Sequence, residues 1–312
     1  RSGRPLSVSL VATPVRPQGH RMALGHIEAA NEAGLQVRGQ VAPRPVGLVL
    51  GLDLTFNPFM ATHVWKGIAD LAMAAKVAAL RNPETRSAIL AEMGGPRGTV
   101  LGAKLVSKFE IMFELSDPPN YEPAPSDSLK ARAAAAGTTP EEMALDILLA
   151  DDGQGLLYVP FANYLDGSLD VVEEMLNHPF TIPGLGDGGA HVGTICDGSF
   201  STTLLTHWGR DRSHGRIPVE QLIKQHCQDT AAAVGLTDRG QLLPGLRADI
   251  NVIDFENLQA LRPEIHHDLP AGGRRLLQRA TGYLHTICAG QEIYQNGVAT
   301  GALPGRLIRH AG

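Results

Sequence analysis

A strand-like run, a helical stretch and a second strand-like run follow one another near the start of the chain. The first run covers residues 6–12, the helical pattern covers residues 20–33, and the second run covers residues 36–42. Two strands joined through a helix require a crossover connection, which is the building unit of a parallel sheet. This order therefore predicts an α/β fold whose functional residues follow the carboxyl ends of the strands.

The alternation of helices and strands continues to about residue 240. Asn82 before Pro83, Ser168, and the capping box that begins at Thr139 are all typical of helix N-termini. Further helical patterns cover residues 60–81, 140–149, 169–177 and 218–234, and further strand patterns cover residues 104–115, 155–162 and 180–186. We therefore expect the chemistry in the loops after residues 12, 42, 162 and 187.

Short strand patterns separated by glycine turns replace this alternation after residue 240. They cover residues 249–254, 282–289 and 292–294. Asn296-Gly297, which follows the last run, is a strong signal for a β-hairpin. The sequence thus predicts an α/β part up to about residue 240 and a small β-rich part after it.

The charge and cysteine content of the 312-residue chain exclude several functions. The formal net charge is -5, so neither nucleic acid nor a membrane is an expected partner, because phosphate binding needs a basic excess. No apolar run approaches the roughly 20 residues of a membrane span. Cys196, Cys227 and Cys288 lie far apart without CxxC spacing, which favours a reducing, cytoplasmic location over a disulfide framework.

The most informative local segment runs from Gly184 to His191 and contains Asp187 between glycines. Asp187 comes just after a predicted buried strand, where a carboxylate can bind a metal ion, accept a proton from water, or do both. The structural alternative is a turn in which the carboxylate binds neighbouring amides. Asp187 is the candidate catalytic and metal-binding residue. His191, four residues later, is a candidate substrate contact or a packed histidine.

Two arginines follow elements that we expect near the strand ends. Arg44 comes right after the second strand, and Arg210 precedes Asp211 in the segment from His207 to Arg212. A guanidinium can bind a substrate carboxylate through two parallel hydrogen bonds, so both are candidate substrate-binding residues. The alternative for both is an ion pair within the chain.

Other motifs point less clearly to chemistry. His266-His267-Asp268 is expected in a loop, and adjacent histidines there are a weak metal signal. No GxSxG nucleophile elbow and no Walker phosphate loop occurs, which disfavours serine hydrolysis and nucleotide binding.

Three stretches together resemble the amidohydrolase superfamily, and within it the D-aminoacylase-like branch of N-acyl-D-amino-acid deacylases. They are residues 186–191, Asp229-Thr230, and residues 235–254 with their Pro-Gly-x-x-Ala-Asp turn. The ending, residues 289–306, is also similar to that branch. The resemblance is specific from about residue 160 to 312 and looser before it.

The resemblance implies a (β/α)₈ barrel with one or two divalent metal ions, usually zinc, and a small β-sandwich. It assigns Asp187 to the aspartate after the last barrel strand, which binds metal and acts as general base or proton shuttle. We accordingly expect part of a TIM-like barrel over residues 1–240, with an insertion at about 104–150, and part of the sandwich over residues 241–312.

Several features of the family are missing from this sequence. No His-x-His pair occurs anywhere, and neither the early-strand ligand nor the two mid-barrel histidines can be located. Because a zinc site needs about three protein ligands, one strand-end aspartate does not make one. The opening Arg1-Ser2-Gly3 has no initiator Met and no signal peptide, so we expect an internal point of a longer gene product.

These observations predict the C-terminal portion of a metal-dependent hydrolase of small-molecule amides, most simply an N-acyl-(D-)amino acid deacylase. The expected partner is a chain carrying the N-terminal half of the barrel, or a second copy, since half a barrel should not persist as a stable monomer. Two alternatives stay open at this point. One is a cyclic-amide hydrolase of the hydantoinase or dihydroorotase type, and the other is a non-catalytic chain that kept the fold for assembly.

Asp249 is expected to be structural although it lies in the resembling turn. It opens an apolar strand pattern, where its carboxylate would accept hydrogen bonds from turn amides or pair with Arg247.

Overall fold

Helices and strands alternate in the first part of the chain, whereas strands dominate its last part. The computed structural model describes residues 3–94, 104–186 and 189–309. The helices are α1 (Gly19–Glu32), α2 (His63–Ile68), α3 (Met73–Arg81), α4 (Pro83–Ala91), α5 (Leu129–Ala136), α6 (Pro140–Leu149), α7 (Asp170–Leu176), α8 (Phe200–Thr206), α9 (Val219–Ile223) and α10 (Thr230–Ala233), with π-helical turns at His207–Asp211 and Lys224–Asp229. The strands are β1 (Leu6–Leu10), β2 (Val37–Val41), β3 (Val46–Leu50), β4 (Phe113–Glu114), β5 (Leu157–Ala162), β6 (Thr181–Pro183), β7 (Ile250–Ile253), β8 (Gln259–Ala260), β9 (Glu264–Leu269), β10 (Gly273–Leu277), β11 (Ala280–Thr281), β12 (Tyr283–Cys288), β13 (Gln291–Gln295) and β14 (Val298–Ala299).

The opening pattern forms the predicted parallel sheet. Its strand order is β1-β2-β6, and both neighbouring pairs are parallel. Helix α1 connects β1 to β2 and packs on the sheet through Leu24 and Ile27. Gly39 permits this contact, because a Cβ there would lie 3.2 Å from the Ile27 Cδ1 atom and from the Leu10 Cδ2 atom. The chain is therefore mixed α/β, as the sequence predicts.

A second sheet with the order β3-β5-β4 is antiparallel throughout. It carries the largest apolar cluster, in which Leu50 and Leu157 pack with Leu145 and Leu148 of α6. The predicted strand over residues 155–162 is thus real, but it does not join the parallel sheet. Among the described residues, three strands of a parallel sheet are present.

Two elements predicted between residues 60 and 115 are wrong. The expected strand pair at residues 104–115 reduces to β4, because local turns satisfy the backbone: the Lys108 N–H donates to the Leu105 carbonyl and the Ile111 N–H to the Lys108 carbonyl. The helix expected over residues 60–81 is divided into α2 and α3, since Ala72 adopts an extended ψ of 147° between them.

The predicted helix N-termini are confirmed, because their capping hydrogen bonds join residues that are close in sequence. The Asn82 side chain accepts hydrogen bonds from the Glu84 and Thr85 amides, and Thr139 with Glu142 forms a complete capping box. Ser168 accepts from the Asp170 amide at the start of α7. Across the described ranges, no helix has the length and apolar character needed to span a bilayer.

The last part contains a four-stranded antiparallel sheet with the order β14-β13-β12-β7. Asn296 and Gly297 form the predicted hairpin turn with φ angles of 47° and 77°, the positive values that a type I′ turn requires. His266 and His267, expected in a loop, instead lie in β9, which pairs with β10.

Asp249 has the contacts predicted for a structural residue. Its carboxylate accepts from the Arg247 Nε at 2.8 and 2.9 Å and from the Ala289 amide at 2.8 Å. Burial opposes the charge, but these hydrogen bonds outweigh it and lower the pKa of Asp249. The carboxylate therefore ties the start of β7 to the turn between β12 and β13.

Replacing Asp249 with Ala should lower the free energy of unfolding by about 1–3 kcal/mol, because the Ala289 amide and Arg247 lose their acceptor. Chemical denaturation followed by circular dichroism measures this change. Glu256→Ala is the matched control, since it removes the same charge from an exposed side chain. Equal stability of the two variants would contradict the structural role.

Candidate active site

Three of the loops expected to carry chemistry meet at Asn163, directly after β5. Asn163 is completely buried and has a φ of 61°. Its backbone N–H donates to the Ala12 carbonyl at 2.8 Å, and its Oδ1 accepts from the Ala12 amide at 2.9 Å. Its Nδ2 donates to the Ala42 carbonyl at 3.5 Å. The chain segments after β1, β2 and β5 thus converge at the carboxyl edge of the parallel sheet.

The segment after β6 reaches the same edge. The Gly184 N–H donates to the Val41 carbonyl at 2.8 Å, which continues the β2–β6 ladder by one residue. Gly186 passes so close to Phe200 that a Cβ would lie 2.8 Å from its Cε1 atom. Asp187, the predicted catalytic and metal-binding residue, and Gly188 lie outside the described residues. The position of Asp187 is therefore known only from its place four residues after β6 ends.

The chain after Gly189 is held by backbone hydrogen bonds to distant elements. The Thr194 carbonyl accepts from the Val49 amide at 2.8 Å, and the Val192 carbonyl accepts from the Leu276 amide at 2.8 Å. His191 is exposed here with a φ of 50°, and its carbonyl accepts from the Thr194 and Ile195 amides. Its imidazole therefore lies at the surface of this segment, where a substrate contact stays a prediction.

Arg44 is buried within the chain, contrary to the substrate clamp that was one of its two expected roles. It is 2% exposed, and all five N–H groups of its guanidinium have acceptors. These acceptors are the Asp197 carboxylate, the Ser199 hydroxyl, the Gln278 side-chain carbonyl and the Cys196 backbone carbonyl. The guanidinium also stacks on Tyr121 at 4.3 Å from the ring centroid. The intrachain ion pair is the alternative that the structure supports.

A cavity of about 240 Å³ lies beside this cluster. Its walls include Gly189, Cys196, Asp197, Ser199 and Gln278, so it adjoins the segment that contains Asp187. Burial raises the pKa of the Cys196 thiol to about 11, which keeps this group uncharged at neutral pH. The cavity thus lies between the segment after Gly189 and the end of β10.

The described residues do not fit a metal centre. Within residues 3–94, 104–186 and 189–309, no group of three His, Cys, Asp or Glu side chains is placed to hold a metal ion. At the carboxyl edge, the Asp197 carboxylate binds Arg44 at 2.8 Å, and Cys196 is a thiol rather than a thiolate. A metal site at this edge needs donors beyond these two residues.

All five N–H groups of the Arg210 guanidinium also have acceptors within the chain. Its guanidinium binds the Asp211 carboxylate at 2.6 and 3.0 Å. Its remaining N–H groups donate to the carbonyls of Phe255, Glu256 and Leu258. These contacts are those of the alternative role for Arg210, an ion pair within the chain, and three of its donors connect the π-helical turn to the chain after β7.

A second polar cluster, which sequence reasoning missed, surrounds Arg212. Its guanidinium binds Glu122, Asp170 and Glu173, and it stacks on Trp208 at 4.7 Å from the ring centroid. Glu122 also accepts from His207 at 2.8 Å if that nitrogen carries the proton. Glu122, His207 and Arg212 line a cavity of about 540 Å³. The basic residues of segment 207–212 are visible in the sequence. No sequence pattern predicts their contact with Glu122, which lies 85 positions before His207.

Glu122 is the most strongly perturbed carboxyl of this cluster. Burial alone would raise its pKa, yet hydrogen bonds from His207, Arg212 and the Leu169 amide lower the pKa of Glu122 to about 2. Because the folded state favours the charged form, the stabilisation is complete above the ordinary value of 4.5 and declines as the pH falls toward 2.

The chain belongs to the amidohydrolase family, whose model matches residues 1–294. This family agrees with the mixed α/β fold, in which the loops after β1, β2 and β5 meet at the carboxyl edge of the parallel sheet. A comparison with curated proteins gives no match.

Solved structures similar to the chain include D-aminoacylase with a binuclear metal centre, at 19% identity and a TM-score of 0.48. A second D-aminoacylase structure has 19% identity and a TM-score of 0.47, and in both cases the alignment covers 96% of this chain and 48% of the other. N-acyl-D-glutamate deacylase from Bordetella bronchiseptica, complexed with zinc and a phosphonate inhibitor, has 19% identity, a TM-score of 0.45 and coverages of 94% and 47%. The chain thus spans about half the length of these proteins.

Replacing Arg44 with Met should lower the free energy of unfolding by about 3–5 kcal/mol, because the half-buried Asp197 carboxylate then loses its buried cation. Thermal and urea denaturation measure the loss. The double variant Arg44→Met/Asp197→Asn is the control and should recover part of the stability, since it removes both charges. A stable Arg44→Met protein would show that the pair is dispensable.

The Glu122→Gln variant should be less stable than the parent chain above pH 4.5, and the difference should shrink as the pH falls toward 2. Urea denaturation across this range measures the difference, which isolates Glu122 from other titrating carboxyls. Glu110→Gln, at an exposed position, is the matched control and should give a smaller difference. A difference that is independent of pH would contradict the charged state assigned to Glu122.

Proposed function

We propose that the chain takes part in metal-dependent hydrolysis of a carbon–nitrogen amide bond, with N-acyl-(D-)amino acids as substrates. The observation that carries this proposal is a sequence position: Asp187 comes four residues after the end of β6, a strand of the parallel sheet, in an amidohydrolase-family chain. Parallel α/β folds use the carboxyl edge of the sheet for catalysis. The similar proteins named above are deacylases, which agrees with an amide substrate.

Asp187 has the chemistry that the reaction needs. A carboxylate there accepts a proton from the attacking water and returns it to the leaving nitrogen of the amide. His191 is the exposed side chain proposed to contact the substrate. Arg44 and Arg210 are not proposed for this role, since their donors are used within the chain.

The divalent metal of this reaction, which we propose to be zinc, takes most of its ligands from outside this chain. The support is the donor set: β1, β2 and β6 contain no histidine or cysteine. We propose that the rest of the barrel is supplied by another polypeptide, by a further stretch of the same protein, or by self-association. Residues 1–240 and 241–312 are then the partial barrel and part of the sandwich. The three cysteines are free, which supports the proposed cytoplasmic location.

A non-catalytic assembly role is the second candidate, and one observation favours it. The buried Arg44 places a fixed positive charge at the edge where the family chemistry needs metal donors. In such a chain, Asp187 would serve the local turn alone. The two candidates differ in whether Asp187 affects turnover.

In the zinc-containing assembly that includes this chain, Asp187→Asn should reduce hydrolysis of N-acetyl-D-amino acids by about 10²-fold or more, because an amide cannot accept the proton. Initial rates measure the loss, and circular dichroism shows that the fold is unchanged. Asp166→Asn, in the turn before Gly167, is the control and should retain activity. Full activity of Asp187→Asn would support the assembly role instead.

A further inference from the structure

The cavity beside Arg212 is walled by four separate segments of this chain. Its lining residues lie within 118–125, 167–168, 203–214 and 259–260. Its volume of about 540 Å³ falls within the ~300–1,000 Å³ that is typical of small-molecule sites. None of its described lining residues belongs to β1 or β6, the two strands at the ends of the parallel sheet. The cavity is therefore separate from the edges at which further strands would extend that sheet.

Glu122 fixes the protonation of His207, which lines the cavity. The Oε1 atom of Glu122 accepts from the Leu169 amide and from Arg212 Nη2. Its Oε2 atom accepts from Arg212 Nε and lies 2.8 Å from His207 Nε2. Because hydrogen bonds lower the pKa of Glu122 to about 2, the carboxylate is ionised at neutral pH and His207 Nε2 carries the shared proton. In a neutral imidazole, Nδ1 is then an acceptor.

Thr203 on α8 also lines the cavity and is 5% exposed. Its Oγ1 atom is buried and has no hydrogen-bond partner among the described residues. Thr206, one turn later, is satisfied within the helix, because its hydroxyl donates to the Thr202 carbonyl at 3.1 Å. A buried hydroxyl without a partner costs free energy. The Thr203 hydroxyl is therefore a position at which a bound molecule gains a hydrogen bond.

Carboxylates outnumber cations beside the cavity. The Arg212 guanidinium binds three carboxylates at once, those of Glu122, Asp170 and Glu173. One guanidinium balances one of these three negative charges. His207 binds Glu122 and His214 binds Asp170, but a neutral imidazole adds no positive charge. The cluster therefore favours a cation over an anion.

Asp211 has a carboxylate with unused acceptor positions. Arg210 occupies one position on each oxygen, at 2.6 and 3.0 Å, which leaves about two of the four that a carboxylate offers. The side chain is 46% exposed, and the residue lines the cavity. Together with His207 Nδ1 and the Thr203 hydroxyl, Asp211 gives the cavity acceptors for a positively charged donor. Apolar surface is supplied by Pro118, Pro119, Ala124 and Pro125.

We propose that this cavity binds a small organic cation, an alkylammonium or an alkylguanidinium. Its charged N–H groups donate to Asp211, His207 and the Thr203 hydroxyl, and its alkyl part packs against the prolines. The described residues do not fit a metal ion here, since they contain no group of three His, Cys, Asp or Glu side chains placed to hold one. The inference uses neither Asp187 nor His191 and does not depend on the proposed hydrolysis.

Isothermal titration calorimetry on the protein that contains this chain tests the charge selectivity. n-Butylammonium and n-butylguanidinium should bind saturably, with a Kd on the order of 1 mM or below. n-Butanol and butyrate should bind at least about ten times more weakly, because neither carries a positive charge. Equal binding of n-butanol would overturn the inference. So would the absence of saturable binding, including its absence because another part of the protein fills the cavity.

A pair of charge variants locates the site. Asp211→Asn should raise the Kd for n-butylammonium about tenfold, because it removes a charged acceptor. Asp238→Asn is the matched control and should leave the Kd unchanged. Arg239 binds Asp238 through the same two-oxygen contact, at 2.8 and 2.9 Å, but Asp238 is not among the described residues that line the cavity.

A pair of threonine variants separates binding from stability. Thr203→Val should weaken n-butylammonium binding roughly threefold to tenfold without lowering the Tm, because it replaces an unpartnered hydroxyl with a methyl group. Thr202→Val is the control on the same helix. It removes the 2.9 Å hydrogen bond to the Tyr283 hydroxyl, so it should lower the Tm and leave the Kd unchanged. Unchanged cation binding in both Asp211→Asn and Thr203→Val would show that the cation binds elsewhere and would overturn the inference.

Discussion

The buried guanidinium of Arg44 is the interaction on which the carboxyl edge of the parallel sheet depends. A buried cation is costly unless acceptors surround it, and here they come from parts of the chain far apart in sequence. Asp197 and Ser199 lie in the turn before α8, and Gln278 lies after β10. Because Arg44 follows β2 directly, it connects the sheet, the segment after Asp187 and the β-rich part. The geometry of this edge therefore depends on the ion pair between Arg44 and Asp197.

Arg210 and Arg212 follow the same principle in the π-helical region. Each guanidinium offers donors in a fixed planar fork, so it can bind several acceptors only where the chain arranges them around it. Arg210 reaches the carbonyls after β7, and Arg212 reaches Glu122 and α7. Arg44, Arg210 and Arg212 thus act as internal cross-links.

The sequence predicts the elements whose determinants are local. The Asn82 cap, the Thr139 capping box, the Asn296-Gly297 hairpin and the parallel pairing of β1 with β2 all depend on signals within a few residues or one crossover. Strand partnership over longer distances was not predictable. A short apolar run such as β5 has the same pattern in a parallel and in an antiparallel sheet. Likewise, Glu122 and His207 are 85 positions apart, and no local pattern connects them.

The distribution of histidines limits how a hydrolytic site can be built at this edge. In the described part of the chain, several of them already bind carboxylates: His178 binds Glu28, His207 binds Glu122, and His285 binds Glu292. The parallel strands themselves carry serine, glutamine, arginine and threonine as their polar residues. A carboxylate after β6 can move a proton, but without nearby nitrogen donors it cannot by itself hold a zinc ion in the usual four-coordinate geometry. A zinc ion at this edge thus requires donors contributed by residues other than those of these strands.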